Sequence, residues 1–200
     1  MNKSNVSFCN KTFTENITNQ DVKKGNSDID IEVKQLLAFL LSFDYGMLCV
    51  NKPKLLSAND TSEEYRTIPI KKFLQYKIGV CYDFVNYEAK WFKEHKYTFR
   101  TYYFAFEGNT QKTHTALFFE YHGSVYWFEA SWRKYSAIRK FSSYDDAIQF
   151  VGRLFYANYR RYLCDLYAFQ YDTTGMDQNL TSQEFTNRAS NGKETKIKTT

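Results

Sequence analysis

Residues 79–85 of the chain read GVCYDFV, and they mark the point where an irregular stretch gives way to a helix. Aromatic side chains then recur at three- and four-residue spacing as far as Trp91, which is the spacing of one helix face. Asp83 lies in the first turn of this predicted helix, where the positive end of the helix dipole favours an acid. The pattern therefore predicts a helix that begins at Cys81.

A cysteine at a helix start has a chemical consequence. The first backbone N–H groups of a helix have no acceptor within it, and together with the helix dipole they stabilise a thiolate. The same N–H groups can hold a developing oxyanion. Taken alone, a free cysteine is more often a packing residue than a nucleophile. Cys81 becomes a candidate nucleophile if a histidine is placed to take its proton.

The downstream sequence supplies a histidine and an acid on two neighbouring predicted strands. His114 starts one strand and Glu129 lies near the end of the next, with His122–Gly123 as the turn between them. A two-residue turn or a four-residue loop puts His114 opposite Ser131, and Glu129 then lies diagonal to it on the same face. A three-residue loop would put Glu129 on the other face. In such a pair the acid fixes the imidazole tautomer and supports its positive charge.

In combination, these segments resemble the transglutaminase-like, papain-fold superfamily. That family has G-x-C at a helix start, a strand that begins with histidine, and an acid about fifteen residues further on. Here the matching residues are Gly79-Val80-Cys81, His114 and Glu129. The segments GVCYD, THT and YWFEASW look especially like a branch of small bacterial proteins of largely unassigned function. The resemblance covers roughly residues 68–157. Many relatives carry aspartate where this chain carries Glu129.

The resemblance implies a cysteine peptidase, an amidase or a transglutaminase-like acyltransferase that cleaves an amide or peptide bond through a thioester. Its catalytic residues would be Cys81, His114 and Glu129, its substrate a peptide or a protein, and it would need no metal and no organic cofactor. The alternative is a protein- or peptide-binding module on the same fold, because a fold does not determine a function. Thiol reactivity separates the two, since a thiolate-type cysteine reacts with iodoacetamide in mildly acidic buffer.

Apolar patterning predicts one domain, residues 27–172, between two polar and flexible tails, residues 1–26 and 173–200. A first helix is predicted over residues 28–43, capped by Ser27, and a long C-terminal helix from Ser142 or Ser143 to Phe169. Strands are predicted over residues 97–106, 114–121 and 124–131. Helices, an antiparallel sheet and a final helix indicate an α+β fold. The resemblance implies a papain-like core in which the nucleophile lies at the start of a helix packed on the sheet.

Charge and cysteine usage narrow the functional classes. The net charge of +5 is spread along the chain and forms no basic block, so no nucleic-acid partner is expected. No apolar run is long enough to span a bilayer and no secretory signal is recognisable, which leads us to expect a cytoplasmic protein. The four cysteines form no CxxC pair and no cluster with zinc spacing. Cys9 falls in the predicted tail, and Cys49 and Cys164 are interpreted as packing residues.

Some polar and aromatic residues near the motifs have ordinary interpretations. Gln75 could donate to an oxyanion, but a polar helix residue explains it better, and Asp83 is interpreted as a helix-start charge. Glu129 sits within an aromatic run, where an unpaired carboxylate is costly, so we expect it to have a partner. Trp127 and Trp132 flank Glu129 and would wall a cleft.

Overall fold

The computed structural model describes residues 29–49, 52–55, 66–159 and 164–199, and within these residues the fold is α+β, as expected. Five α-helices are present there: α1 (Ile31–Leu40), α2 (Ile70–Tyr76), α3 (Cys81–Glu94), α4 (Tyr144–Tyr159) and α5 (Ser182–Ala189). The strands are β1 (Asp44–Cys49), β2 (Lys52–Leu55), β3 (Ile78–Gly79), β4 (Phe99–Phe106), β5 (Asn109–Tyr121), β6 (Ser124–Glu129), β7 (Ala137–Phe141), β8 (Leu166–Tyr171) and β9 (Lys193–Lys196).

Six of these strands form one antiparallel sheet in the order β7-β6-β5-β4-β8-β9. A smaller sheet has the order β2-β1-β3, in which β1 and β2 are antiparallel and β1 and β3 are parallel. Because β3 runs directly into α3, the small sheet fixes the chain just before Cys81. The strands β1, β2, β3, β7 and β9 were not predicted from the sequence.

The six-stranded sheet is covered on both faces. Side chains alternate between the faces along a strand, so Leu117 and Phe128 join the core that contains α3, whereas Phe118 and Trp127 join the core that contains α4. Phe84 on α3 has no solvent exposure. Helix α3 is therefore held on the sheet by its apolar face, and its first residue is placed at a fixed point beside β5.

The predicted hairpin between β5 and β6 is confirmed. Tyr121 pairs with Ser124, which leaves His122 and Gly123 as a two-residue turn. Both turn residues have positive φ, 48° and 73°, as a type I′ turn requires. The register runs on through Leu117 opposite Phe128. This register places His114 and Glu129 on the same side of the hairpin, as the two-residue turn predicted.

The prediction of a long C-terminal helix is wrong. Helix α4 ends at Tyr159, and Leu166–Tyr171 is a strand that pairs with β4 inside the sheet. A central strand covered on both faces is apolar almost throughout, so its sequence matches helical spacing as well as strand spacing. The predicted helix over residues 28–43 is also shorter, Ile31–Leu40, and Asp30 caps it; Ser27 lies outside the described residues.

The prediction of a flexible C-terminal tail is also contradicted. The last described segment contains α5 and β9, and β9 pairs with β8 at the sheet edge. Leu180, Phe185 and Ile197 are buried. The few apolar residues of this polar segment are spaced so that nearly all of them reach the core. The predicted N-terminal tail, residues 1–26, lies outside the described residues.

Residues 66–70, which precede α2, are tied to the chain far downstream. Arg66 and Thr181 form an isolated β-bridge. The backbone N–H of Thr67 donates to the carbonyl of Leu180 at 2.8 Å, and the N–H of Ile70 donates to the Asp177 carboxylate at 2.6 Å. We call this connection the long-range strap, because it joins segments more than a hundred residues apart.

Candidate active site

Cys81 is the first residue of α3, as predicted. The chain reaches it through Gly79, where a side chain would collide with its neighbours. A Cβ atom at this position would lie 2.7 Å from the Phe73 ring and 2.8 Å from the Asp83 Cβ. Glycine is thus required because α2 and the first turn of α3 both press against the backbone here.

Asp83 fixes the helix start rather than acting as an acid of the site. Its carboxylate accepts the backbone N–H of Val80 at 2.9 Å and the backbone N–H of Ile68 at 2.7 Å. Burial raises the pKa of Asp83 to about 7, although the two backbone hydrogen bonds oppose this shift. Asp83 therefore joins α3 to the segment that carries the long-range strap, and its predicted position in the first turn of the helix is confirmed.

His114 and Glu129 form a buried pair. The His114 Nε2 atom lies 2.9 Å from the Glu129 Oε2 atom. The other carboxylate oxygen, Oε1, accepts the Ser131 hydroxyl at 2.8 Å and the backbone N–H of Trp132 at 2.6 Å. Pairing between β5 and β6 stops at Leu117, so these side chains meet just beyond the paired part of the hairpin.

The histidine also reaches the cysteine. The Cys81 side chain lies close enough to the His114 ring to be, with Glu129, one of the groups that raise the pKa of the histidine. Because Glu129 occupies Nε2, Nδ1 is the ring nitrogen left for the thiol. Cys81 and His114 are each 6% exposed and Glu129 is 2% exposed, so the chain of contacts is nearly shielded from water. The structure thus brings together all three residues singled out in the sequence.

Electrostatics favour the charged forms of the His114–Glu129 pair. Burial alone would lower the pKa of His114, but the Glu129 charge and the hydrogen bonds to Cys81 and Glu129 raise it to about 10. Burial alone would raise the pKa of Glu129, yet the His114 charge and the hydrogen bonds to the carboxylate bring it below its ordinary value. An imidazolium held by a carboxylate is the expected state near neutral pH.

Aromatic rings fix the orientation of the imidazole. The Trp132 ring centroid lies 4.9 Å from that of His114, and the Phe155 ring stacks at 6.2 Å. Trp132 therefore lies beside the site as expected. Trp127 does not line a cleft, because it is completely buried and packs against Phe150 of α4. Phe155 was missed, since its helical spacing indicated only a core position.

Other candidate residues lie elsewhere. Gln75 is exposed on α2, and His95 is exposed and stacks on Trp91. His122 is exposed in the hairpin turn. Cys164 is half-buried and packs with the core around α4. The Cys9 position and the Cys49 side chain lie outside the described residues.

One acid beside the site was not singled out from the sequence. Glu88 is buried on α3, and it interacts electrostatically with Glu129, His114 and Cys81. Its position on the predicted helix could have revealed it. Glu88 follows Phe84 by four residues, so a charged residue occupies the apolar face of the predicted helix.

Within residues 29–49, 52–55, 66–159 and 164–199, no helix is both long and apolar enough to cross a membrane. Across the same ranges, no three or more His, Cys, Asp or Glu side chains cluster so as to hold a metal ion. Comparison of the chain with protein-family models, with curated proteins and with solved structures gives no match.

Proposed function

We propose that the protein is a cysteine-dependent hydrolase or acyltransferase of the transglutaminase-like type, which acts on amide or peptide bonds. The observation that carries the proposal is the buried chain of contacts from Glu129 through His114 to Cys81, with Cys81 at the start of α3. A nucleophile, a base and an orienting acid in this order are the arrangement used for acyl transfer on several unrelated folds.

The first step is attack by sulfur on the substrate carbonyl carbon. In the reactive form the thiol proton already resides on His114, so the sulfur attacks as a thiolate, and Glu129 stabilises the imidazolium. The developing negative charge on the carbonyl oxygen is held by the backbone N–H of Cys81, which has no acceptor within its own helix. The C–S bond forms as the carbonyl π bond becomes an oxyanion.

The second step breaks the C–N bond. His114 returns its proton to the leaving amine, and the oxyanion collapses to leave a thioester on Cys81. Water or a second amine then attacks the thioester, with His114 again taking the proton, and the thiol is released. Water gives hydrolysis and an amine gives acyl transfer, so the same residues support both outcomes.

Electrophile labelling tests the proposal. The protein is treated at about pH 6, where an ordinary thiol is almost wholly protonated, with iodoacetamide or with a library of electrophilic peptide amides, and adducts are counted by intact mass. We expect a single rapid adduct in the wild type and in Cys164→Ala, and its loss in Cys81→Ala. The peptides that react fastest would also identify the preferred side chains.

Cys164→Ala is the matched control because Cys164 is a free cysteine whose side chain the structure describes, and it packs against a different core from Cys81. Equal labelling of the wild type and Cys81→Ala would contradict the assignment of Cys81 as the nucleophile. Rapid labelling without turnover of any peptide amide would instead favour a binding module with an idle triad.

A further inference from the structure

Helix α3 carries a buried acid that the proposed mechanism does not use. Glu88 is 1% exposed, and its Oε2 atom finds no hydrogen-bond partner in the part of the chain that the structure describes. A buried polar atom without a partner is destabilising and is rare in folded proteins. Packing alone does not explain a glutamate at this position, because an apolar side chain of the same size would be more stable there.

The position of Glu88 directs it toward the site. It follows Cys81 by seven residues, close to two helical turns, so the two side chains share one face of α3. The Cα–Cβ bonds of a helix tilt toward its N-terminus, which for Glu88 is the direction of Cys81.

Four titratable groups on several elements face Glu88. They are Glu129 on β6, His114 on β5, Cys81 on α3 and the buried Tyr171 hydroxyl on β8. Burial, and after it the negative charge of Glu129, hold the pKa of Glu88 well above its ordinary value. Glu129, by contrast, is kept ionised by His114 and by its hydrogen bonds. One of the two neighbouring carboxyl groups therefore carries the charge and the other carries the proton.

We propose that Glu88 and Glu129 form a carboxyl pair that shares one negative charge beside His114, with Glu88 as the reserve acid. When Glu129 is neutralised, its repulsion of Glu88 disappears while burial still opposes ionisation, and the positive charge of His114, which favours the ionised form, then draws Glu88 into supporting it in place of Glu129. Glu88 is thus a positioning residue, which acts through the histidine and not on the substrate. The inference rests on the proposed triad, but its test reads the histidine directly and needs no turnover.

The test is a pH titration of the histidine rings by NMR in the wild type, Glu88→Gln, Glu129→Gln and the double variant. The chain has only three histidines, and the exposed His95 and His122 serve as internal controls. We expect the pKa of His114 to change by less than about 0.3 units in Glu88→Gln and to fall in Glu129→Gln. In the double variant it should fall by at least about one further unit, a tenfold change in the protonation equilibrium.

The proposal predicts that the effects of Glu88→Gln and Glu129→Gln on the pKa of His114 are not additive. A reserve acid makes the effect of Glu88→Gln much larger when Glu129 is absent than when it is present. Equal His114 titrations in Glu129→Gln and in the double variant would overturn the proposal. Turnover does not enter this comparison, so an inactive protein with the expected titrations would contradict the proposed function and leave the carboxyl pair standing.

A second measurement covers the case in which Glu129→Gln does not fold. The folded-state pKa of Glu88 is raised, so its contribution to stability is full below the unfolded value near 4.5 and is lost as the pH rises through the folded value. The melting temperature of Glu88→Gln minus that of the wild type should therefore increase steadily above about pH 5. A difference that does not change with pH would show that Glu88 is not the proton holder.

Discussion

Three hydrogen bonds converge on the Glu129 carboxylate, and they explain how this acid stays charged while it is 2% exposed. A buried carboxylate without partners would take up a proton. The Ser131 hydroxyl and the Trp132 backbone occupy one oxygen and leave the other for His114. The loop after β6 therefore supplies hydrogen-bond donors that stabilise a carboxylate at the end of an otherwise aromatic strand.

Glu129→Gln tests whether the negative charge of this carboxylate is needed to support His114. An amide keeps the size of the side chain but removes the charge that supports the imidazolium, so we expect the fold to survive and kcat/KM for a peptide amide to fall. The fall should be smaller than the roughly 10⁴-fold loss known for amidation of a serine-protease aspartate, because a Cys–His pair relies less on its acid. Glu129→Asp is the matched control and should lose less, since it keeps the charge. Equal activity of Glu129→Gln and the wild type would contradict the orienting role.

The pH dependence of stability follows from the same pair. The pKa of His114 is raised from 6.5 to about 10 in the folded state, so its stabilising contribution is full below pH 6.5 and is lost as the pH rises toward 10. The lowered pKa of Glu129 adds stability above its unfolded value of 4.5, and this is lost in acid. We expect the melting temperature of the wild type relative to His114→Asn to be highest between these limits. A relative melting temperature that rises from pH 7 to pH 10 would contradict the ion pair.

At the scale of elements, Gly79 controls how β3 enters α3. Gly79→Ala places a methyl group 2.7 Å from the Phe73 ring, and overpacking of this kind costs about 1–3 kcal/mol. Urea unfolding should show that loss. Phe73→Leu destabilises the protein by itself, but it should recover part of the loss in the Gly79→Ala background, because the two positions collide directly. Purely additive effects would show that the ring is not the obstacle.

Local signals predicted the elements that build the site. The start of α3 follows from the GVCYDFV segment, and the hairpin follows from His122–Gly123, because helix starts and tight turns are determined by a few neighbouring residues. The fixed two-residue period of strands then placed Glu129 relative to His114 correctly. Glu88 was not identified from the sequence because its burial depends on how α3 packs on the sheet. The residues next to it in the sequence do not determine that packing.

Elements whose structure depends on distant partners were not predicted. Residues 166–171 satisfy both helical and strand spacing, and only the presence of β4 and β9 on either side makes them a strand. Strand β9 reads KETK and has no strand signal of its own. It is a strand because β8 offers an open edge for it to pair with.

At the scale of the whole molecule, the segment after β8 closes the core over the sheet. Phe185 of α5 contacts the rings of Tyr82, Tyr103 and Tyr171. Tyr82 directly follows Cys81 in the chain. The packing of α5 therefore supports the start of α3 from outside the six-stranded sheet.

Phe185→Ala measures this support. Loss of a fully buried phenylalanine costs about 3–5 kcal/mol, and the denaturant midpoint should fall accordingly. Gln183→Ala, at an exposed position of the same helix, is the matched control and should change the free energy of unfolding by no more than about 0.5 kcal/mol. Similar small effects of both changes would show that α5 is dispensable, as a flexible tail would be.

The long-range strap has a consequence for the protein while it is being made. Thr67 is hydrogen-bonded to Leu180, which is synthesised 113 residues later in the chain. At a synthesis rate of roughly 5–20 residues per second, that interval lasts about 6–23 s. Asp83 already holds Ile68 beside the start of α3, but the second anchor of this segment does not yet exist. During synthesis the helix start that carries Cys81 therefore goes without its last anchor for seconds, and over that interval the thiol is less shielded than the 6% exposure it has in the folded protein.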